Sequence, residues 1–381
     1  MGLPSVLLVG TGGYAAYYVR DLLAMKASDT INFMGAVDPC ADSNPCAASL
    51  SEAGVRIFAH SDEFYSLGEQ VDLVVIASPI HTHYAYVVEA IEHGANVLCE
   101  KPVVLDLEQL ADLQRRQRES GLFIAVGYQQ CFAPGTLALK ADIASGLFGR
   151  AIRMKALQFM RRGDAYYGRN NWAGKLSCGG QPIYDSPVSN ACAHHMQTML
   201  FLLGPTPGET VGVDSVEGVL YRTRPDIETY DASALKVNTS GGTEIWYYTG
   251  HSVAEKRVGP IGEYEFERAH LFFEDGVVTA HLENGGTRSY GVAIGSEGMY
   301  KLKRSIECVQ NQERPVCTID SVASHVQVVL KAQELETVTS FGCAYTMIDG
   351  DGTYVSPGLL PAFQLAYEGY EFPVCAPNNR A

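Results

Sequence analysis

The sequence predicts α/β plus α+β architecture: an N-terminal Rossmann-type doubly wound parallel sheet, then a domain built on an open, mostly antiparallel sheet. Three observations predict it. Short apolar runs alternate with helically spaced stretches through the first third of the chain. Two of these runs, VLLVG and LVVIAS, are apolar on both faces, as strands covered by helices on both sides must be. After about Gly127 alternation of period two takes over, with Gly, Asn and Asp between the runs. The 381 residues, 46% of them hydrophobic, exceed what one core usually holds. Two domains are therefore expected, 1–127 and 128–381.

Taken in order, SVLLVG reads as the first strand and YAAYYVRDLLAM as the helix after it. INFMGAVD, EFYSLGE, VDLVVIAS, HYAYVVEAIEHG, NVLCE, LEQLADLQRRQRES and LFIAVGY continue the alternation. The stretch PGTLALKADIASGLFG is one long helical segment. AIRMKALQFMRR, SALKVNT, TEIWYYTG, AHLFFEDG, VVTAHLENG and RSYGVAI then read as strands, with EDG and ENGG as hairpin turns. Helical spacing returns in SVASHVQVVLKAQELET, and this C-terminal helix, about 320–338, is a candidate to pack back on the first domain.

Composition narrows the partners. A formal net charge of −15 disfavours nucleic acid and anionic membrane surfaces, which are approached through excess Lys and Arg. Small molecules are the expected ligands. The ten cysteines form no C-x-x-C pair, so neither a disulfide framework nor a structural zinc site is supported. No run approaches the roughly 18 apolar residues of a membrane span, and the N-terminus lacks a basic region and cleavage site, so a cytoplasmic protein is expected.

The chemistry begins at VLLVGTGGYAA, where Gly10, Gly12 and Ala15 stand as G-x-G-x-x-A between a strand and a helix. The first glycine permits a tight turn, the second lets a pyrophosphate approach the backbone, and the small third residue permits close helix packing. Gly13 and Tyr14 lie on the same loop. Asp38 ends the next strand, where a carboxylate accepts hydrogen bonds from ribose hydroxyls and repels a 2′-phosphate. An Asp making a turn before Pro39 is the bland alternative. Together these features predict NAD rather than NADP. Ser78 and Pro79, at the end of the next strand, should border the dinucleotide, and His83 either contacts it or makes a local hydrogen bond. Glu100 ends NVLCE and Lys101 follows it over the same crevice. A lysine there can hold a substrate hydroxyl or pass its proton, where a solvated loop lysine is the alternative.

With GTGGYAA, GAVD, ASPIHTH, CEKPVVLDLEQL and VGYQQCFAPGTLALKADIASGLFGRAIRM in order, the chain resembles the Gfo/Idh/MocA oxidoreductase family over roughly its first 160 residues. YYGRNNWAGK and HHMQTMLFLLG extend the likeness to about Gly204. The resemblance implies a Rossmann domain, an antiparallel-sheet domain and reversible NAD(P)-linked oxidation of sugars, inositols and related polyols. It implies that Lys101 contacts substrate and nicotinamide ribose, that the peptide before Pro102 is cis, and that His194 is the acid/base. It also implies a homo-oligomer, dimer or tetramer, joined through the C-terminal sheet.

Asn190 stands where many members carry an Asp, and Cys131 where an Arg is common. Asp185 and Tyr184, in a loop longer than usual, are candidate replacements for the Asp, and Tyr128 and Trp172 are candidate substrate contacts. His194 and His195 point about 100° apart on a helix, which argues against a shared metal, so no metal is expected. His195 reads as a core or interface histidine. Arg161 and Arg162 could bind an acidic or phosphorylated substrate, with a solvated strand end as the plainer reading. Two further readings stay open: an NAD-retaining lyase, epimerase or glycosidase acting through transient sugar oxidation, and a non-catalytic dinucleotide-binding regulator.

Overall fold

A computed structural model describes residues 2–41, 44–291, 299–338, 341 and 347–374. The chain divides into two compact units, Met1–Phe132 with Ile294–Val322, and Ala133–Ala293 with Ala323–Ala381. The first unit alternates strand and helix: β1 (Ser5–Val9), α1 (Ala15–Ala27), β2 (Asn32–Val37), α2 (Cys46–Glu52), β3 (Ile57–Phe58), α3 (Ser61–Tyr65), β4 (Leu73–Ile76), α4 (His83–Glu92), β5 (Asn96–Cys99), α5 (Leu107–Ser120) and β6 (Ile124–Val126). The strands pair in parallel in the order β3-β2-β1-β4-β5-β6. The order in which the chain adds strands therefore reverses between β1 and β4, which opens a crevice beyond the carboxyl ends of these strands. Every residue of β4 is buried, as the doubly apolar run predicts. Local signals set the helix limits. In α5 the Asp106 side chain accepts from the Gln109 N–H and Gly121, at φ +75°, ends the helix.

The second unit opens with α6 (Pro134–Ala144) and the long strand β7 (Ala151–Met160). A short helix α7 (Asp164–Tyr167), a small hairpin of β8 (Ser177–Cys178) and β9 (Gln181–Pro182), and α8 (Ala193–Leu202) follow. Next come β10 (Val213–Tyr221), β11 (Ala232–Thr239), β12 (Glu244–Gly250), β13 (Arg257–Phe266), β14 (Ala269–Glu274), β15 (Val277–Leu282) and β16 (Thr287–Gly291). The chain then gives α9 (Tyr300–Asn311) to the first unit. Finally α10 (Ala323–Gln333), β17 (Thr337–Val338), β18 (Met347–Ile348), β19 (Tyr354–Val355) and α11 (Leu359–Gly369) complete the second.

Nine strands form the second sheet in the order β16-β15-β14-β13-β7-β12-β11-β10-β17. Its hairpins are antiparallel, with Asp275 and Gly276 both at positive φ in the turn that EDG signals. Two pairs, β7 with β12 and β10 with β17, are parallel, because the chain reaches each partner through a long connection rather than a hairpin. β10 and β13 escape the sequence reading. Residues 292–294 of the RSYGVAI run lie outside the described residues. Alternation along β12 sends Tyr247 to one face and Tyr248 to the other. The Tyr247 hydroxyl donates to the Cys192 carbonyl just before α8, and the Tyr248 hydroxyl donates to the Ala366 carbonyl in α11. On the α11 face Leu157, Phe159, Tyr248, Phe341, Phe363 and Tyr367 make one apolar cluster.

The helix expected over 320–338 is α10, and it packs on β10 and α8 inside the second unit. The segment that joins the first unit is the one before it, and nothing in its local pattern sets it apart. Val126 N–H donates to the Cys317 carbonyl at 3.0 Å and Ile319 N–H to the Ile124 carbonyl at 2.9 Å, so this segment lines the open edge of β6.

Candidate active-site residues

In the first unit the glycine-rich loop is a close approach of backbone to backbone. Gly10 has φ +87°, and a Cβ there would meet Ser78 N at 2.8 Å and the Ala77 carbonyl at 2.9 Å. Only glycine fits that turn. Over Gly13, at φ +57°, an added Cβ would meet nothing within 4 Å, and a Cβ on Gly12 would meet only the Asn44 side chain, at 2.9 Å. The loop then enters α1, whose N-terminal end carries the partial positive charge that favours an anion. Asp38 is held in place beside it. Its Oδ2 accepts from Thr11 N at 3.0 Å and Thr11 Oγ1 at 2.5 Å, and its Oδ1 from Cys40 N at 2.9 Å. Of about four acceptor sites on a carboxylate, one is left, so the group is oriented before a ribose arrives. These residues fit a dinucleotide.

Ser78 is half-buried with its hydroxyl on Thr82 Oγ1 at 2.7 Å, and Pro79 is exposed just beyond it. Of the two readings of His83, the structure shows the hydrogen-bonded one. It is buried, with Nδ1 on the Pro102 carbonyl at 2.8 Å and Nε2 on the Ser78 carbonyl at 2.9 Å. Both ring nitrogens are spent on the main chain, so the imidazole ties the loop after β4 to the loop after β5. Burial lowers its pKa against the opposing pull of the two carbonyls and Glu100.

The Lys101–Pro102 peptide is cis. Glu100 turns inward beneath it, accepting from the Tyr18 hydroxyl at 2.7 Å and from the Lys301 ammonium. It also meets the Lys101 N–H at 3.3 Å and lies so close to Gly127 that a Cβ there would sit 2.9 Å from Oε2. Lys301, wholly buried in α9, reaches the Tyr14 hydroxyl at 3.2 Å and the Gly127 carbonyl at 3.3 Å as well. Tyr14 closes the circuit, donating to Gln129 Oε1 at 3.0 Å. Burial works to raise the Glu100 pKa, but Lys301, Tyr18 and Lys101 outweigh it and hold the carboxyl below the usual range. Glu100 is thus an organiser of the segment, and Lys101 stays half-buried on a main chain fixed from below. Tyr128 and Cys131 are both buried, and burial pushes the Tyr128 phenol well up.

The second unit gathers Asp185, Asn190, Arg169 and Trp172. Asp185 is buried and accepts from Asn190 Nδ2 at 2.7 Å, Gly174 N at 2.8 Å and Arg169 Nη2 at 3.4 Å. The Arg169 guanidinium lies 4.8 Å over the half-buried Trp172 ring. Tyr184 takes φ +43° at the bend before Asp185. Asn190 and His194 do not share one helix. Pro187–Ala191 is a single wider, π-type turn started by a Ser186–Ser189 capping box, and the register breaks at Cys192 before α8 begins. The Asn190 amide donates to Asp185 from this turn. An acid does stand beside the amide, but it comes from the longer loop. His194 is half-buried in the first turn of α8. His195 is buried 5.0 Å from the Phe273 ring, its pKa lowered to about 3 by burial and then by Arg257. Arg161 is saturated by Asp349 and Asp351. The eight described cysteines are free thiols.

Comparison with known proteins follows from this geometry. The family described as "Oxidoreductase family, NAD-binding Rossmann fold" matches residues 5–128. Over those residues the chain is similar to the Gfo/Idh/MocA family. The chain is 32% identical over 240 residues to inositol 2-dehydrogenase 1 of Saccharopolyspora erythraea, covering 62% of this chain and 64% of that one. It is 30% identical over 145 residues to 2,7-anhydro-N-acetylneuraminate hydratase of Mediterraneibacter gnavus, covering 38% and 37%. The match thus spans less than two thirds of either relative's length. Among solved structures, the WlbA dehydrogenase of Bordetella pertussis, in complex with NADH and UDP-GlcNAcA, shares the fold at a TM-score of 0.69 and 18% identity over 87% of this chain and 97% of that one. Among the described residues no helix is long and apolar enough to cross a membrane.

Sequence reasoning missed Thr11, Tyr18, Arg169 and Lys301. Tyr18 had a signal, lying one helical turn after Tyr14 on the same face. Lys301 had none, since its partner is 201 residues away.

Proposed function

We propose that the protein is an NAD-dependent dehydrogenase moving hydride between nicotinamide and a carbinol carbon of a sugar, inositol or related polyol. NAD, when bound, supplies the hydride chemistry. The observation that carries this reading is the E-K-P segment. Its glutamate is largely buried and ion-paired, its proline loop is pinned by His83, and its lysine is left on a rigid main chain at the carboxyl end of β5. Such rigidity suits a group that must hold a substrate hydroxyl in one orientation. His194 accepts the hydroxyl proton, an imidazole being the best-matched side chain near neutral pH. Asn190 orients substrate from its seat on Asp185.

The test is a screen of sugars and polyols for NADH formation by the purified protein, followed by variants. Lys101→Ala should leave NAD affinity near wild type by calorimetry and lower turnover by about 10²–10⁴-fold. His194→Ala should do likewise, whereas Asn190→Ala should act mainly on KM. Wild-type turnover in Lys101→Ala would sink the assignment. A second reading, transient oxidation with NAD retained, is favoured by the likeness to a hydratase. Cofactor that survives gel filtration, with turnover needing no added NAD, would select it.

A further inference from the structure

The two arginines that end β7 differ sharply in their surroundings. Arg161 donates to Asp351 at 2.7 and 3.1 Å, to Asp349 at 2.8 Å and to the Ala254 carbonyl at 2.7 Å, so its charge is fully answered. Arg162 faces no carboxylate within ion-pair distance among the described residues. Its Nε is buried without a hydrogen-bond partner, and its Nη2 finds only the Met160 sulfur at 4.0 Å. The guanidinium packs 4.6 Å from the centroid of Tyr166. Arg169 packs against the same ring at 3.7 Å. Two guanidinium groups therefore share one phenol ring with one carboxylate, Asp185, 3.4 Å from Arg169. In a chain of net charge −15, with 43 acidic against 28 basic residues, this local excess of positive charge is conspicuous. His251 adds none, because burial first and then Arg162 and Arg169 lower its pKa to about 3.

An arginine with a desolvated, unanswered Nε is costly unless an acceptor arrives, and the planar fork is shaped for a carboxylate or phosphate taken through two parallel hydrogen bonds. The same cluster runs through Arg169 and Asp185 to Asn190, and through Arg169 to the Trp172 ring, Asn190 and Trp172 being candidate substrate contacts. We propose that Arg162, supported by Arg169, is a subsite for an anionic substituent, carboxylate or phosphate, on the sugar substrate. This rests on the reading that the second unit takes the sugar. It narrows the substrate class to sugar acids or sugar phosphates.

The test is calorimetric titration of the full chain with NAD present, using D-glucuronate, D-galacturonate and D-glucose 6-phosphate against D-glucose and D-galactose. At least one anion should bind about tenfold or more tighter than its neutral parent, uronate or phosphate identifying the group preferred. Arg162→Gln should remove that preference and leave the neutral sugar's affinity unchanged. If Arg162→Gln fails to fold, Arg162→Lys, which keeps the charge without the fork, should lower the preference severalfold. No preference in the wild type, or one that survives the variant, overturns the proposal. NADH formation from neutral sugars without anion preference would overturn the subsite and leave the dehydrogenase reading intact. An Arg162-dependent preference without NADH formation from any sugar would do the reverse.

Discussion

At the scale of single residues, a functional side chain is recognisable when its chemistry is carried by its own sequence neighbourhood. Asp38 ends a strand a fixed distance after the glycines, and in the structure its carboxylate is oriented by Thr11 and Cys40. Because Thr11 fixes one oxygen, the carboxylate cannot swing away from an incoming 2′-phosphate. Asp38→Ala should therefore narrow the preference for NAD over NADP by relieving like-charge repulsion, measured as the ratio of kcat/KM for the two cofactors. Faster wild-type turnover with NADP would refute that role. His83 shows the limit of such reading. A histidine at a helix start looks the same in sequence whether it faces ligand or main chain, and here two carbonyls 19 and 5 residues away claim it.

At the scale of elements, the apolar runs identified β1, β2, β4, β5 and β6 because each is buried along most of its length. Periodicity did not reveal the π-type turn at Pro187–Ala191, which puts Asn190 and His194 in different elements. Nor could it show that α9 drives Lys301 into the buried carboxylate of Glu100. That pairing has a signed consequence. Glu100 is depressed in the folded state, so its contribution to stability is present above the usual carboxylate range and is lost as pH falls through the folded value. Lys301→Met leaves a buried, unpaired carboxylate and should destabilise the protein by about 3–5 kcal/mol near neutral pH. The loss should shrink toward acid pH, where the carboxyl is protonated with or without its partner. Glu100→Gln combined with Lys301→Met should recover part of the melting temperature. A Lys301→Met variant that melts like wild type at neutral pH would show that the pair is idle.

At the scale of the whole molecule, the first unit is discontinuous: the chain leaves it after Phe132 and returns at Ile294–Val322. The returning segment covers the β6 edge with backbone hydrogen bonds at Val126 and Ile319, gives Asp320 to the Gln117 amide at 2.8 Å, and supplies Lys301. A fragment ending at residue 132 should therefore lack cooperative unfolding in urea and associate through its open β6 edge, although it contains every strand of the Rossmann sheet. A monomeric fragment with a sharp transition would show that the returning segment is dispensable.

Sequence alone determined the doubly wound sheet, the glycine-rich turn and Asp38, the E-K-P segment, and the hairpin-rich texture of the second unit. All of these are local, written in apolar period, turn chemistry and short motif spacing. Tertiary structure decided the rest: the partner of Glu100, the main-chain ties of His83, the seat of Asn190 on Asp185, and which of two adjacent arginines is neutralised. Arg161 and Arg162 are neighbours of the same type, yet the carboxylates that separate them lie about 190 residues on, at Asp349 and Asp351. Charge and hydrogen-bond satisfaction are set by what folding brings within a few ångströms, and no local period encodes that.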